Sequence, residues 1–316
     1  MRVLIGYDGS ECADAALSDL RKAGLPKDVE ALVVSVGEVV KPPSSTGDDV
    51  VSRPMTSRLV TAAFAQSAAR TRDALEETKE FAARAGDRVR SYFPSWKVQT
   101  EGIAGWPAAE LINKADEWKP DLIVVGSHGR STLGRFILGS VSKRVVTDSH
   151  HSVRVARGAV DHNDSKSPRV MIGVDGSPAA EQAIREVGMR VWPKGTEVRV
   201  IAVDDGTSPK TIARVLPIAA AMITDSNEKA CQAARSMVEW AERELRAIGL
   251  PVTVAIEKGD PQQVLIEEAQ KWDADSIFVG SKKLGVTSER FWLGSVSTAL
   301  VTKAHCSVEV VRSATS

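Results

Sequence analysis

The chain has 316 residues, of which 43% are hydrophobic and 26% are charged, the composition of a soluble globular protein of about two domains. Its 41 basic and 41 acidic residues give a formal net charge of zero, which argues against nucleic acid or an anionic membrane as a partner. No apolar run approaches the roughly 18 residues that span a bilayer, and the amino terminus has no signal-type pattern, so we expect a cytoplasmic protein.

The first predicted strand covers residues 2–7 and is followed at once by Asp8, Gly9 and Ser10. This sequence turns the strand into a helix that begins near Cys12. Ser10 stands where a side-chain oxygen can accept hydrogen bonds from the free N–H groups of the helix. Cys12, Cys231 and Cys306 are odd in number and far apart, which predicts reduced buried thiols and no disulfide framework.

Short apolar strands then alternate with amphipathic helices along the chain. We expect strands near 31–37, 96–103, 121–126 and 153–156, and a long helix within 57–92. This alternation predicts parallel strands joined by helical crossovers, with helices on both faces of the sheet. Residues 41–58 are rich in Pro, Ser and Asp and predict a loop, which either covers a ligand or is a tolerated surface insertion.

The second part of the chain repeats the first. RVMIGVDGSPAA at Arg169 matches RVLIGYDGSECA at Arg2, and RFWLGSVSTALVTKAHCSVEVVR matches RFILGSVSKRVVTDSHHSVRVAR near the two ends of the repeats. A second long helix is expected within 209–247. The repeat predicts two domains, at 1–157 and 168–316, which we call the first half and the second half. The polar segment 158–167 is the predicted linker.

A glycine loop follows the fourth strand of the first half. The apolar run 122–125 is followed by Gly126, Gly129 and Gly139, and Ser140 then opens a helical pattern. Glycine allows close approach of the backbone to a ligand, and the first N–H groups of the helix are free to bind phosphate. The spacing matches neither the Walker A pattern nor the dinucleotide-binding pattern. The alternative is a flexible strand-to-helix turn without a ligand.

The spacing Gly-x2-Gly-x9-Gly-Ser resembles the ATP-binding signature of the universal stress protein family. Together with the two DGS turns and the two LGSVS runs, it makes the whole chain similar to a tandem member of that family. The resemblance implies an α/β three-layer sandwich built from two repeated open parallel five-stranded sheets, of strand order 3-2-1-4-5, with helices on both faces. It also implies that ATP binds across the carboxyl ends of strands 1 and 4, where the strand order reverses.

Carried over residue by residue, the resemblance assigns two groups of contacts in the first half. The adenine and ribose contacts fall on Tyr7, Asp8, Val36 and Gly126, and the phosphate contacts fall on Gly129, Gly139, Ser140, Val141 and Ser142. Asp8 can accept hydrogen bonds from ribose hydroxyls, cap the next helix, or both, whereas Val36 is as readily a core residue. His128 and Arg130 flank the loop and either screen phosphate charge or are solvated. Mg²⁺ could accompany the triphosphate.

The second half keeps part of this pattern. The equivalent residues are Asp175, Val203, Gly280, Gly294, Ser295, Val296 and Ser297. Lys282 and Lys283 follow Ser281, and the pattern requires glycine at 283. A side chain there disfavours positive φ and obstructs close backbone approach. We therefore expect the second half to bind nucleotide weakly or not at all.

The last predicted strands, SVRVAR and SVEVVR, place Arg154 and Glu309 at equivalent positions. The resemblance implies that these strands pair antiparallel, which brings the two side chains close together and favours pairing within the chain. Whether two such chains also form a homodimer is left open by the sequence. The nearby His150, His151, His305 and Cys306 match no zinc spacing, so no metal site is predicted.

Three functions are compatible with the sequence. The first is an ATP-binding regulatory protein of the stress response, and the second is a nucleotide-independent scaffold or chaperone-like protein. The third is a weak ATPase or phosphotransferase, although the chain has no Walker lysine and no catalytic-loop motif, so we assign no catalytic residue. Trp106 lies beside the predicted ligand mouth and could line it.

Overall fold

The computed structural model describes residues 1–38, 54–129, 138–158, 166–205, 217–281 and 293–312, with side chains in these ranges except in 54–70 and 217–230. Most of the predicted loop 41–58 and linker 158–167 lies outside the described residues. Helix begins at Pro54, so the carboxyl end of the predicted loop segment is helical. Proline suits the first turn of a helix because its missing N–H would have no partner there.

The described part of the first half alternates strands and helices as the sequence predicts. Its elements are β1 (Arg2–Gly6), α1 (Glu11–Asp19), β2 (Glu30–Glu38), α2 (Pro54–Tyr92), β3 (Lys97–Gly105), α3 (Pro107–Trp118), β4 (Leu122–Gly126), α4 (Ser140–Asp148) and β5 (Ser152–Ala156). A short 3-10 turn, Leu20–Lys22, follows α1.

The second half repeats this order. Its described elements are β6 (Arg169–Val174), α5 (Pro178–Met189), β7 (Glu197–Asp204), α6 (Pro217–Ala247), β8 (Val252–Lys258), α7 (Pro261–Lys271), β9 (Ser276–Gly280), α8 (Ser295–Lys303) and β10 (Ser307–Val311). Ser10 and Ser177 cap α1 and α5 by accepting hydrogen bonds from the N–H groups of Ala13 and Ala180, so the predicted role of Ser10 is confirmed.

Each half has the predicted strand order 3-2-1-4-5, and the two sheets join into one. The ten strands run in the order β3-β2-β1-β4-β5-β10-β9-β6-β7-β8. All strand pairs are parallel except β5 with β10, which pair antiparallel with Arg154 opposite Glu309. The expected antiparallel pairing of the final strands is therefore present within the chain.

Helices cover both faces of this sheet, which gives the expected three layers. On one face, a single apolar core runs across both halves and includes Leu111 of α3, Val146 of α4, Leu265 of α7 and Leu300 of α8. On the other face, α1 and α2 form one core with the first half, and α5 and α6 form another with the second half. Because one core is shared, the two halves are packed as a unit on that face.

A network of buried charges links the halves beside the β5–β10 pair. Arg154 donates to both carboxylate oxygens of Asp19, at 2.6 and 3.0 Å, and to Glu309 at 3.3 Å. Arg190 also donates to Glu309, and to Glu186 at 3.2 Å. Arg154 and Glu309 are both fully buried, so this is not an exposed surface ion pair.

Candidate functional site

A cavity of about 420 Å³ opens at the carboxyl ends of β1 and β4. β2 and β3 lie on one side of β1, whereas β4 and β5 lie on its other side. The cavity is therefore located where the strand order reverses. Its volume falls within the range of small-molecule sites, about 300 to 1,000 Å³. All nine residues that the sequence assigned to the first site line it: Tyr7, Asp8, Val36, Gly126, Gly129, Gly139, Ser140, Val141 and Ser142.

Asp8 faces the cavity and also shapes the turn that follows β1. Its Oδ1 accepts a hydrogen bond from the N–H of Ser10 at 3.0 Å. Its Oδ2 lies against Gly129, where an added Cβ would come within 2.6 Å of that oxygen. Asp8 therefore supports the turn but does not itself cap α1, whose N-cap is Ser10, and its second carboxylate oxygen reaches the glycine loop.

The glycine loop packs directly against the start of α1. A Cβ on Gly126 would stand 2.8 Å from the carbonyl oxygen of Cys12, which is too close for a side chain. The loop is closed from the other side by a hydrogen bond of 2.8 Å from the Gly139 N–H to the Ser127 carbonyl. The two ends of the glycine pattern therefore meet at the cavity wall, although residues 130–137, including Arg130, lie outside the described residues.

The amino-terminal end of α4 presents to the cavity backbone donors that have no acceptor among the described residues. Gly139 is its N-cap and supplies no side-chain oxygen, and the first turn of α4 contains no acidic residue. The N–H groups of Ser140, Val141 and Ser142 therefore keep the positive end of the helix dipole open to an anion. The Ser142 hydroxyl donates to the Gly126 carbonyl at 2.6 Å, which ties α4 to the end of β4.

Of the two alternatives for His128, screening of phosphate charge and simple solvation, the structure argues against solvation, because both ring nitrogens have side-chain partners. Its Nε2 lies 3.1 Å from Cys12 Sγ, and its Nδ1 lies 3.0 Å from Ser127 Oγ.

Burial raises the pKa of the Cys12 thiol above its ordinary value. Cys306 is buried, whereas Cys12 and Cys231 are half-buried, so the expected burial holds for one of the three free thiols.

Tyr7 turns its hydroxyl away from solvent and toward α1. The phenol donates to Asp14 Oδ1 at 2.7 Å, and Arg88 of α2 forms an ion pair with the same carboxylate. Burial, with the added effect of the Asp14 bond, raises the pKa of Tyr7 to about 12. Because Asp14 already holds the hydroxyl, Tyr7 offers the cavity its ring and backbone.

Apolar and helical residues that the sequence analysis missed complete the cavity. Val34, Leu111 and Val125 add apolar surface beside Val36, and Thr78 and Phe81 of α2 close the side above β2. Nothing in the local pattern of α2 marks those two residues, since α2 reaches the site only through the fold. Trp106 is 62% exposed next to Pro107, and Pro107, not Trp106, lines the cavity.

The charged side chains among the described lining residues are the carboxylates Asp8, Glu38 and Glu77. An anion in this cavity would consequently be attracted by backbone N–H groups and the α4 dipole. The acidic lining would also suit a divalent cation brought in by a phosphate chain. Within the described ranges, no cluster of three or more His, Cys, Asp and Glu residues could hold a metal ion by itself.

The second half places its equivalent residues at the corresponding strand and helix ends. Asp175 follows β6, Val203 is near the end of β7, and Gly280 ends β9. Gly294 is the N-cap of α8, whose first turn contains Ser295, Val296 and Ser297. Asp175 accepts from the Ser177 N–H at 3.0 Å, as Asp8 does from Ser10. Lys282 and Lys283 lie outside the described residues.

A family model described as the universal stress protein family matches residues 1–157 and again residues 167–312. The chain belongs to the universal stress protein family. A universal stress protein of Mycolicibacterium smegmatis is 27% identical over 313 residues, which cover 98% of this chain and 96% of that protein. One from Mycobacterium tuberculosis is 28% identical over 217 residues, covering 68% of this chain and 69% of that protein.

The solved structures agree with the fold of a tandem universal stress protein. A universal stress protein from Archaeoglobus fulgidus superposes with a TM-score of 0.62 at 22% identity, covering 98% of each chain. At that identity the likeness concerns the fold alone. Among the described helices of the present chain, none is long and apolar enough to cross a bilayer.

Proposed function

We propose that the first half of this universal stress protein binds ATP as a regulatory ligand in the stress response. The observation that supports this proposal best is the convergence of all nine assigned residues on one cavity. In the proposed complex, the α/β phosphates lie against the N–H groups of Gly129 and Ser140–Ser142. The ribose lies near Asp8, and the purine lies against the apolar wall at Val36.

The physical basis of phosphate binding would be backbone dipoles and not side-chain cations. Each hydrogen bond from an N–H group to a charged phosphate oxygen contributes roughly 1.5 to 3 kcal/mol before ordering is counted. Three or four such bonds and a buried purine correspond to an affinity in about the micromolar range. Since Asp8, Glu38 and Glu77 line the cavity, we expect Mg²⁺ to strengthen binding of the triphosphate.

A matched pair of aspartates tests the site. Asp8 and Asp175 occupy equivalent turns and each accepts one serine N–H at 3.0 Å. Asp8→Asn keeps the acceptor of the turn but replaces the carboxylate proposed to accept from the ribose hydroxyls with a weaker, neutral acceptor, so it should weaken ATP binding to the full chain about fivefold by calorimetric titration. Asp175→Asn is the control, and we expect it to leave the affinity near that of the unaltered protein.

The same titration distinguishes the two halves. One bound ATP per chain, with an affinity lowered by Asp8→Asn and not by Asp175→Asn, supports a functional first half and a weak second half. Equal effects of the two substitutions, or two sites of equal affinity, would overturn the assignment to the first half. Gly129→Ala is a second check on the same contact, because its Cβ would meet Asp8 Oδ2 at 2.6 Å and displace that side chain, so it should weaken binding if the loop contacts the ligand.

A further inference from the structure

The final arginine of each half reaches across to the last helix of the other half. Arg312 follows β10 in the second half and donates to the carbonyls of His151 and Val146 in the first half, the former at 2.8 Å. Arg157 follows β5 in the first half and donates to the carbonyls of Val301 and Thr302 in the second, at 2.6 and 3.0 Å. Each arginine therefore binds carbonyl oxygens at or just beyond the carboxyl-terminal end of the last helix of the other half.

These contacts supply what the last turn of a helix lacks. The final carbonyls of a helix have no donor within it, and a cation there interacts favourably with the helix dipole. The last turn of α4 contains no basic residue of its own, whereas that of α8 contains Lys303. Arg312 is buried and thus provides α4 with a cation and donors that only the second half can bring.

The opposite end of α4 is the phosphate cradle of the first half. With nine residues, α4 is about 13 Å long, so a shift or fraying at Val146 reaches the amides of Ser140–Ser142 within two turns. The cradle end is tied to the sheet by Ser142 and Gly139, and the other end is tied to the second half by Arg312. The helix is thus anchored at both ends by polar contacts.

We propose that Arg312 is a positioning residue for the anion cradle of the other half, an inference that rests on the proposed binding of nucleotide phosphates there. The second half then has a role in ligand binding that does not require a ligand of its own. Arg312, which follows β10, holds the carboxyl-terminal end of α4, the helix whose first N–H groups form the anion cradle of the first half.

Arg157 is the matched control, because it makes the reciprocal contact at the same interface but on α8. Burial lowers the pKa of both guanidinium groups, that of Arg312 to about 10. Each arginine also donates its backbone N–H to a serine hydroxyl across the interface. Arg312 donates to Ser152 and Arg157 donates to Ser307, both at 3.0 Å. Loss of either side chain should therefore damage the interface to a similar degree.

The experiment compares Arg312→Met and Arg157→Met in the full chain. Amide hydrogen exchange without ligand should accelerate at least tenfold across 139–148 in Arg312→Met, and across 294–303 in Arg157→Met. ATP affinity, measured by calorimetry, should fall about fivefold or more in Arg312→Met only. Arg312→Lys keeps the charge and should restore part of the affinity; it replaces Arg312→Met if that variant does not fold.

The outcomes separate this inference from the proposed function. If both methionine variants weaken ATP binding equally, or exchange across 139–148 is unchanged in Arg312→Met, the positioning role is refuted. If the unaltered protein binds no ATP, the proposed function fails, and the exchange measurement still decides whether Arg312 orders the cradle helix. Loss of affinity in Arg312→Met with recovery in Arg312→Lys supports both.

Discussion

Arg154 and Glu309 lie directly opposite each other where β5 pairs with β10, and both are fully buried. Burial alone would lower the pKa of the Arg154 guanidinium, but the carboxylates of Asp19 and Glu309 raise it above its ordinary value. The same strand pairing between two copies of one half would oppose two arginines or two glutamates. This complementarity therefore favours pairing of the first half with the second.

Arg154→Met should lower the free energy of unfolding by about 3 to 5 kcal/mol, because it leaves the buried Asp19 and Glu309 without that cation. Glu309→Gln should lower it less, since Arg154 keeps Asp19 and Arg190 keeps Glu186. Urea denaturation of the two single variants and the double variant measures their coupling. A pair that contributed as an exposed ion pair does would show changes below about 1 kcal/mol.

Exchanging the two charges should not restore stability. The double variant Arg154→Glu/Glu309→Arg would place a carboxylate beside Asp19 and a guanidinium beside Arg190. We expect it to remain less stable than the unaltered protein in the same denaturation experiment. Full rescue would show that the pair acts alone and that the surrounding network contributes nothing.

Gly24→Ala should destabilise the chain more than Gly249→Ala does. Gly24 has φ +65°, and a Cβ there would approach the ring of Trp192 from the second half to 2.7 Å. Gly249 has φ +87° with nothing described within 4 Å, so its substitution costs about 1 kcal/mol for the backbone conformation alone. The loss of stability in Gly24→Ala should be larger by roughly 1 to 3 kcal/mol, because the added methyl group overpacks the contact with Trp192. Equal losses in urea denaturation would exclude the contact with Trp192 as a cause.

Stability should decrease as the pH falls below neutrality because of His151 and His305. Burial lowers the pKa of each below the ordinary value of 6.5, so the unfolded chain takes up these protons first. The contribution of the two neutral histidines to the free energy of unfolding is complete above pH 6.5. It is lost as the pH falls toward their lower pKa values in the folded chain. For His151, Asp116 opposes the shift in part.

The pH dependence is measured by urea denaturation between about pH 7.5 and pH 5.5. The double variant His151→Gln/His305→Gln should show a shallower decrease in the free energy of unfolding than the unaltered protein. An unchanged slope would mean that other groups, such as the carboxylates, dominate this range.

Tyr7 should ionise late in an alkaline titration. Its pKa is raised from 10.0 to about 12, mainly by burial, so the folded protein keeps the neutral phenol and loses stability as the pH rises through this interval. The chain contains two tyrosines, which makes the ultraviolet absorbance of tyrosinate easy to assign. Tyr7→Phe should remove the late phase, and a late phase that persists in this variant would assign it to Tyr92.

The repeated α/β architecture could be predicted from the alternation of strands and helices in two copies, whereas the strand order and the nine residues that line the cavity were predicted through the family resemblance. These features are local or repeated: the glycine spacing from Gly126 to Gly139 and the Asp-Gly-Ser turn after β1 occupy short stretches whose backbone chemistry can be read directly. The pairing of the final strands was implied by the family resemblance, and the repeat then placed Arg154 and Glu309 at equivalent positions.

How the two halves depend on each other can be seen only in the folded chain. The burial of Arg154, the contribution of Arg190, and the reach of Arg312 to α4 involve residues more than 100 positions apart. Thr78 and Phe81 enter the cavity because α2 packs above β2, and His128 is held by Cys12 because α1 meets the glycine loop. Local patterns record which residues are polar or apolar, whereas the partner that a buried charge finds depends on the packing of distant segments.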